Sequence, residues 1–142
     1  MTKPQILRME HLNTFDPLTE NQSKCFNAWK QGDHLMMYGT AGTGKTFLGL
    51  YFALEKVLDK SNPTEKVVIV RSAVPTREIG YLPGTIDEKL EAYTTPYVPI
   101  MSTLFDDGGA YEKLIRAERL EIMSTSHIRG ITLDDTVVVV DE

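Results

Sequence analysis

The chain has 142 residues, 42% of them hydrophobic and 25% charged, which fits a single soluble domain able to bury a core. A formal net charge of -5 excludes a surface that is basic all round, so contact with nucleic acid has to come from a local patch of lysine and arginine. The single cysteine, Cys25, excludes an internal disulfide and points to a reducing compartment; the longest apolar run, Val137 to Val140, is too short for a membrane span or a signal peptide.

Residues 1–18 show no clear period, and Pro4, Pro17 and the stretch from Asn13 to Asp16 predict an irregular lead-in to a domain over 19–142. A helix is expected from Thr19. There Thr19-Glu20-Asn21-Gln22 fits a capping box, Cys25, Phe26 and Trp29 supply an apolar face, and Gly32 sits where a helix would stop. His34 to Tyr38 reads as a short strand that breaks into Gly39-Thr40-Ala41-Gly42-Thr43-Gly44-Lys45-Thr46, and Phe47 to Lys60 has apolar residues at helical spacing. After a turn at Asn62-Pro63, the unbroken Val67, Val68, Ile69 and Val70 predict a strand buried on both faces over Lys66 to Arg71. Strand, helix, strand is the crossover unit of a parallel sheet, so the fold class is α/β.

Ser72 to Gly84 carries Pro75, Gly80, Pro83 and Gly84 and reads as a long loop. Thr85-Ile86-Asp87-Glu88 is a second capping box, opening a helix that Pro96 limits, and Pro99 to Phe105 predicts another short helix. A helix through Ala110 to Arg119, a short strand near Glu121 to Ser124 and a fully buried strand over Thr136 to Asp141 complete the expected elements.

Gly39 to Thr46 matches G-x-x-x-x-G-K-[ST], and each fixed position has a mechanical reason. The glycines let the backbone wrap a phosphate so that successive N–H groups and the start of the next helix point at the anion. Lys45 would set an ammonium by the β and γ phosphates, and Thr46 would offer its hydroxyl to Mg²⁺, a cation that prefers oxygen ligands. A glycine-rich turn without a ligand is the bland alternative; the flanking apolar strand and amphipathic helix weigh against it. At the other end of the chain, Val137-Val138-Val139-Val140-Asp141-Glu142 fits the second nucleotide motif. Asp141 would hold Mg²⁺ through its water shell, and Glu142 would polarise the attacking water. Two solvated acids after a buried strand would look the same, and the phosphate loop upstream is what favours the metal reading.

Together with Leu18 to Gln22, Val70 to Val74, Tyr81-Leu82-Pro83-Gly84 and Ile128 to Leu133, these motifs resemble the PhoH-like ATPases, most closely the phage-encoded members. The resemblance covers roughly Thr14 to Glu142. It implies a P-loop NTPase with a RecA-like, superfamily 1 helicase-like parallel sheet and flanking helices, associated with phosphate starvation. It further implies ATP and Mg²⁺ as ligands, RNA or single-stranded nucleic acid and further copies of the chain as partners, no membrane, and the cytoplasm of a bacterium or phage-infected host.

By the same resemblance Gln22 would read the adenine edge, its amide donating and accepting at once. Gln22 also holds the third position of a capping box, where its side chain would bond back to the Thr19 N–H; the two uses compete. Arg71, Arg77 and Arg129 are candidates for nucleic-acid phosphates or for a neighbour's nucleotide, against the alternative of solvated surface arginines. Tyr38 and Tyr51 read as core or loop packing, and His34 and His127 as surface residues.

Relatives in the resembled family continue past the acidic pair with a γ-phosphate-sensing strand, which would lie between the phosphate-loop strand and the Val137 strand. The chain is therefore expected to be incomplete at its C-terminus, with a gap in the sheet, marginal stability and poor turnover. Two other functions compete with an ATP-hydrolysing motor domain: a truncated module that binds nucleotide without turnover, and a P-loop phosphotransferase. Glu142 after Asp141 tilts against the phosphotransferase.

Overall fold

The computed structural model describes residues 3–40, 42, 44–72 and 94–141. After a 3₁₀ turn at Met9–His11 come α1 (Glu20–Lys30), α2 (Lys45–Leu58), β1 (Lys66–Arg71), α3 (Tyr97–Phe105), α4 (Ala110–Arg116), β2 (Leu120–Ser124) and β3 (Thr136–Val140). The strands form a parallel sheet in the order β2-β1-β3, flanked by helices. This α/β arrangement is compatible with a P-loop NTPase fold.

Both ends of α1 follow from local chemistry. Thr19 is the N-cap, its Oγ1 accepting the Gln22 N–H at 3.1 Å. Gln22 Oε1 reaches back to the N–H of Leu18 at 2.7 Å rather than to that of Thr19, since both amides lie outside the helical ladder and need an acceptor. At the far end Asp33 N–H bonds Ala28 O and Gly32 N–H bonds Trp29 O, with Gly32 at φ +88°, the left-handed stop that glycine permits.

β1 is the buried centre. Val67, Val68 and Ile69 are fully buried and Val70 nearly so, because β2 and β3 pair along its two edges while α2 covers one face. α2 packs on two sides. Toward the sheet, a Cβ at Gly49 would lie 3.3 Å from Met37 Cε and 3.7 Å from Val139 Cγ1, so the glycine sets how closely helix and sheet approach. On its other side Phe26 meets Phe52 edge-on at 4.8 Å, and Phe15 meets Phe47 and Tyr51 at 5.1 and 5.3 Å. Leu50 and Leu54 are fully buried between these layers, each worth about 1.5–3 kcal/mol by transfer.

The structure differs from the sequence-based expectations at several points. His34 to Tyr38 is not a strand: Leu35 and Met37 turn toward the core while Met36 and Tyr38 are 91% and 92% exposed, so the alternation is there without a ladder partner. Backbone that finds no neighbouring strand makes no sheet hydrogen bonds, however apolar its side chains. β3 is not fully buried either; Val138 is 41% and Val140 71% exposed, because among the described residues β3 lies at the sheet edge with α2 on one face. Pro96 is the N-cap of α3, two residues after a helical position at Thr94, and Pro99 sits in the first turn, where its missing N–H removes no helical bond. α4 stops at Arg116, and the chain turns through Glu118 at φ +58°. The lead-in is irregular outside its 3₁₀ turn yet well packed: Leu7 and Leu12 are buried, and Asn13 bonds the carbonyls of Leu104 and Thr103 through its N–H and side chain. The Thr85 capping box and the Tyr81 to Gly84 segment lie outside the described residues. No described helix is long and apolar enough to cross a membrane.

One charged pair is built into the packing of α3 on α4. Asp107, 6% exposed, accepts from Lys113 Nζ and from the Gly109 N–H at 2.9 Å, and these bonds hold its carboxyl below the usual carboxylate range. The stability it adds is complete above the unfolded value of about 3.9 and is lost as pH falls through the lower folded value. Asp107→Asn is expected to lower stability at pH 7 by about 1–3 kcal/mol, leaving Lys113 without its carboxylate. Thermal melts from pH 7 to pH 3 should show the gap between wild type and variant narrowing only below about pH 4.

Candidate functional site

The glycine loop enters α2 through three backbone conformations that L-residues avoid, Gly39 at φ +153°, Gly42 at φ +82° and Gly44 at φ +83°. Gly44 is the N-cap of α2, and its carbonyl accepts the Leu48 N–H at 2.9 Å, so Lys45 and Thr46 begin the helix. The N–H groups of that first turn have no acceptor within the helix and carry its positive end. Lys45 Nζ donates to Gly39 O at 2.6 Å and Thr40 O at 3.0 Å, which stretches the ammonium across the loop. Amides, helix start and ammonium together make a cup suited to an anion. Ala41 and Thr43 lie outside the described residues.

β3 delivers the second component. The Asp141 N–H bonds Val70 O at 2.8 Å, extending the β1–β3 ladder by one step and fixing the residue at the carboxyl end of the sheet. Thr46 Oγ1 donates to Asp141 Oδ1 at 3.1 Å, so two motifs 95 positions apart meet side chain to side chain. Tyr97 OH donates to the other oxygen, Oδ2, at 2.7 Å. The Arg71 guanidinium, at the end of β1, lies over the Tyr97 ring with its carbon 5.6 Å from the centroid. Glu142 lies outside the described residues.

The donor set fits magnesium in kind. A hydroxyl and a carboxylate side by side are hard oxygen ligands, and Mg²⁺ is commonly held by one or two such groups plus phosphate oxygens and water. Among the described residues no cluster of three or more His, Cys, Asp or Glu could hold a metal.

The remaining candidates spread out. Gln22 commits its carbonyl oxygen to Leu18, yet that oxygen has a second lone pair and the amide nitrogen still donates, so capping does not by itself bar base contact. Tyr51 is core: it is 3% exposed, its hydroxyl accepts from the Phe15 N–H at 3.3 Å, and burial pushes its pKa up. Tyr38, His34, His127 and Arg129 are exposed, and Arg77 lies outside the described residues. A shallow cavity of about 250 Å³ between the lead-in and the end of α3, lined by Lys3, Leu7, His11 and Phe105 among others, shares no residue with the loop. Sequence reasoning missed Tyr97, and no motif signals it; a buried tyrosine needs an acceptor, but which one depends on the fold.

Comparison with known proteins supplies an independent line. The family model described as "PhoH-like protein" matches residues 14–142. The chain is 33% identical over 132 residues to a PhoH-like protein of Mycobacterium leprae, covering 91% of this chain and 36% of the relative. It is 35% identical over 127 residues to a PhoH-like protein of Bacillus subtilis, covering 87% and 38%. It is also 39% identical over 106 residues to the protein PhoH2 of Mycolicibacterium smegmatis, covering 73% and 24%. The chain thus spans between a quarter and two fifths of the length of these relatives. No solved structure matches it at a significant level.

Gly44→Ala would force a Cβ into a left-handed conformation at the helix start and is expected to cost about 1–2 kcal/mol. A melting temperature that falls on this change, set against no loss for Gly108→Ala, where φ is not left-handed and a Cβ has open space, would show that the cup depends on the Gly44 conformation.

Proposed function

The chain belongs to the PhoH-like family, and from that premise we propose that it binds ATP with Mg²⁺ through Gly39 to Thr46 and Asp141. The observation that carries this reading is the 3.1 Å contact between Thr46 Oγ1 and Asp141 Oδ1, which joins the phosphate loop to the acid at the end of β3. A glycine turn and an acid-tipped strand with unrelated roles would have no reason to meet.

In this reading the loop amides, including those of Gly39, Thr40, Ala41, Gly42, Thr43 and Gly44, bind the β and γ phosphates. Lys45 exchanges its two loop carbonyls for phosphate oxygens, which are stronger acceptors because they are charged. Thr46 and Asp141 hold Mg²⁺, whose chemistry when bound is to neutralise the charge gathering on the phosphates. Glu142 follows Asp141 directly and would orient the attacking water; Gln22 would contact the adenine edge.

Hydrolysis, and its coupling to RNA or single-stranded DNA in a RecA-like motor, are a further proposal, since the chain spans only part of its relatives' length. The parallel sheet, with Asp141 and Arg71 at its carboxyl end, supports a motor arrangement. Arg129, exposed in the loop after β2, would meet a nucleic-acid phosphate or a neighbouring copy's nucleotide. Such chemistry belongs in the cytoplasm, where ATP and Mg²⁺ are supplied.

The test is equilibrium binding of a fluorescent ATP analogue and Mg²⁺-dependent phosphate release, each with and without single-stranded RNA. Lys45→Ala is expected to weaken analogue binding about 10- to 100-fold, the worth of one or two charged hydrogen bonds. Binding that Lys45→Ala leaves intact would contradict the phosphate reading. Binding without phosphate release would identify this chain as a nucleotide-binding module.

A further inference from the structure

We propose that Tyr97 is a positioning residue of the nucleotide site, its buried hydroxyl fixing the Asp141 carboxylate so that Oδ1 faces Thr46 and the cation that a nucleotide brings. The inference rests on the nucleotide reading above and names how that site is kept in register.

An ionised carboxylate accepts hydrogen bonds and donates none, so both hydroxyls that touch Asp141 are donors to it. They come from different parts of the fold. Thr46 belongs to the first turn of α2 and meets Oδ1; Tyr97 is the first residue of α3 and meets Oδ2 at 2.7 Å, the shorter of the two contacts. With its backbone N–H tied to Val70 O and one oxygen held on each side, the Asp141 side chain has one orientation that satisfies all three bonds.

Tyr97 is suited to this task because it cannot easily move. It is 1% exposed, and its ring lies under the Arg71 guanidinium at the end of β1. A mobile hydroxyl could follow the carboxylate; a buried one dictates where the carboxylate goes. Tyr97 itself need not touch nucleotide or metal. The consequence is selective: losing the hydroxyl should loosen the magnesium ligand while the loop amides and Lys45, which hold phosphate, stay as they are.

Tyr97→Phe keeps the ring that fills the core and removes one oxygen. Affinity for fluorescent ADP would be measured across a Mg²⁺ titration for wild type, Tyr97→Phe, Asp141→Asn and the double variant, with circular dichroism to check each fold. In Tyr97→Phe the Mg²⁺ concentration for half-maximal enhancement should rise roughly tenfold, the usual scale of one hydrogen bond to a charged group. Affinity without Mg²⁺ should stay at the wild-type value, and the double variant should behave as Asp141→Asn alone, since both changes act through one carboxylate.

An unchanged Mg²⁺ dependence in Tyr97→Phe would overturn the proposal. So would an equal loss with and without Mg²⁺, which would mean general loosening, and so would failure to fold, which would make the hydroxyl a folding element. Wild type that binds no nucleotide would instead sink the functional reading beneath it.

Discussion

The parallel pairing of β3 with β1 is the constraint on which the loop end of the molecule depends. Lys66 pairs with Thr136, and the register runs step by step to Val70 and Val140, so that Asp141 emerges beside the end of the central strand. A slip of one residue would turn Val137 and Val139 away from α2 and expose them, while moving the acid off Thr46. The pairing of β3 with β1 therefore fixes the position of a polar residue that β3 does not contain. Chemistry at the tip is set by packing along the strand.

α2 answers that constraint from the other side. Its sheet-facing side is held close at Gly49, and its opposite side is clamped by aromatic rings from the lead-in and α1, so the helix has little freedom to slide. Lys45 and Thr46, its first two residues, inherit that rigidity. The glycine loop is thus pinned at its carboxyl end by a helix that, among the described residues, is well buried. Sites carried on such elements keep their geometry better than sites carried on loops alone.

Much of this was legible in the sequence, for physical reasons that differ from residue to residue. The caps of α1 were readable because Thr19, Gln22 and Gly32 act within a few positions of each other. β1 was readable because a strand buried on both faces needs an unbroken apolar run. The same rule failed for β3: four valines in a row do not reveal that one face of an edge strand stays exposed, since burial depends on neighbours and not on composition. His34 to Tyr38 failed for a related reason, as pairing is a property of two segments. At the site, the motifs singled out Thr46 and Asp141, each as an oxygen ligand for Mg²⁺, but not the hydrogen bond between them, and Tyr97 was invisible because its hydroxyl becomes meaningful only once α3 is laid against the end of β3.

Membership of the PhoH-like family and the geometry of the loop converge on a nucleotide as the ligand, and where that nucleotide sits is the decisive question. The most direct measurement is a crystal structure of the chain soaked or grown with Mg²⁺ and a non-hydrolysable ATP analogue. Phosphate oxygens are expected against the amides of Gly39 to Thr46, with Lys45 released from its loop carbonyls and a metal on Thr46 Oγ1 with Asp141 beside it. Phosphate bound elsewhere, or a metal held away from Asp141, would contradict the nucleotide reading.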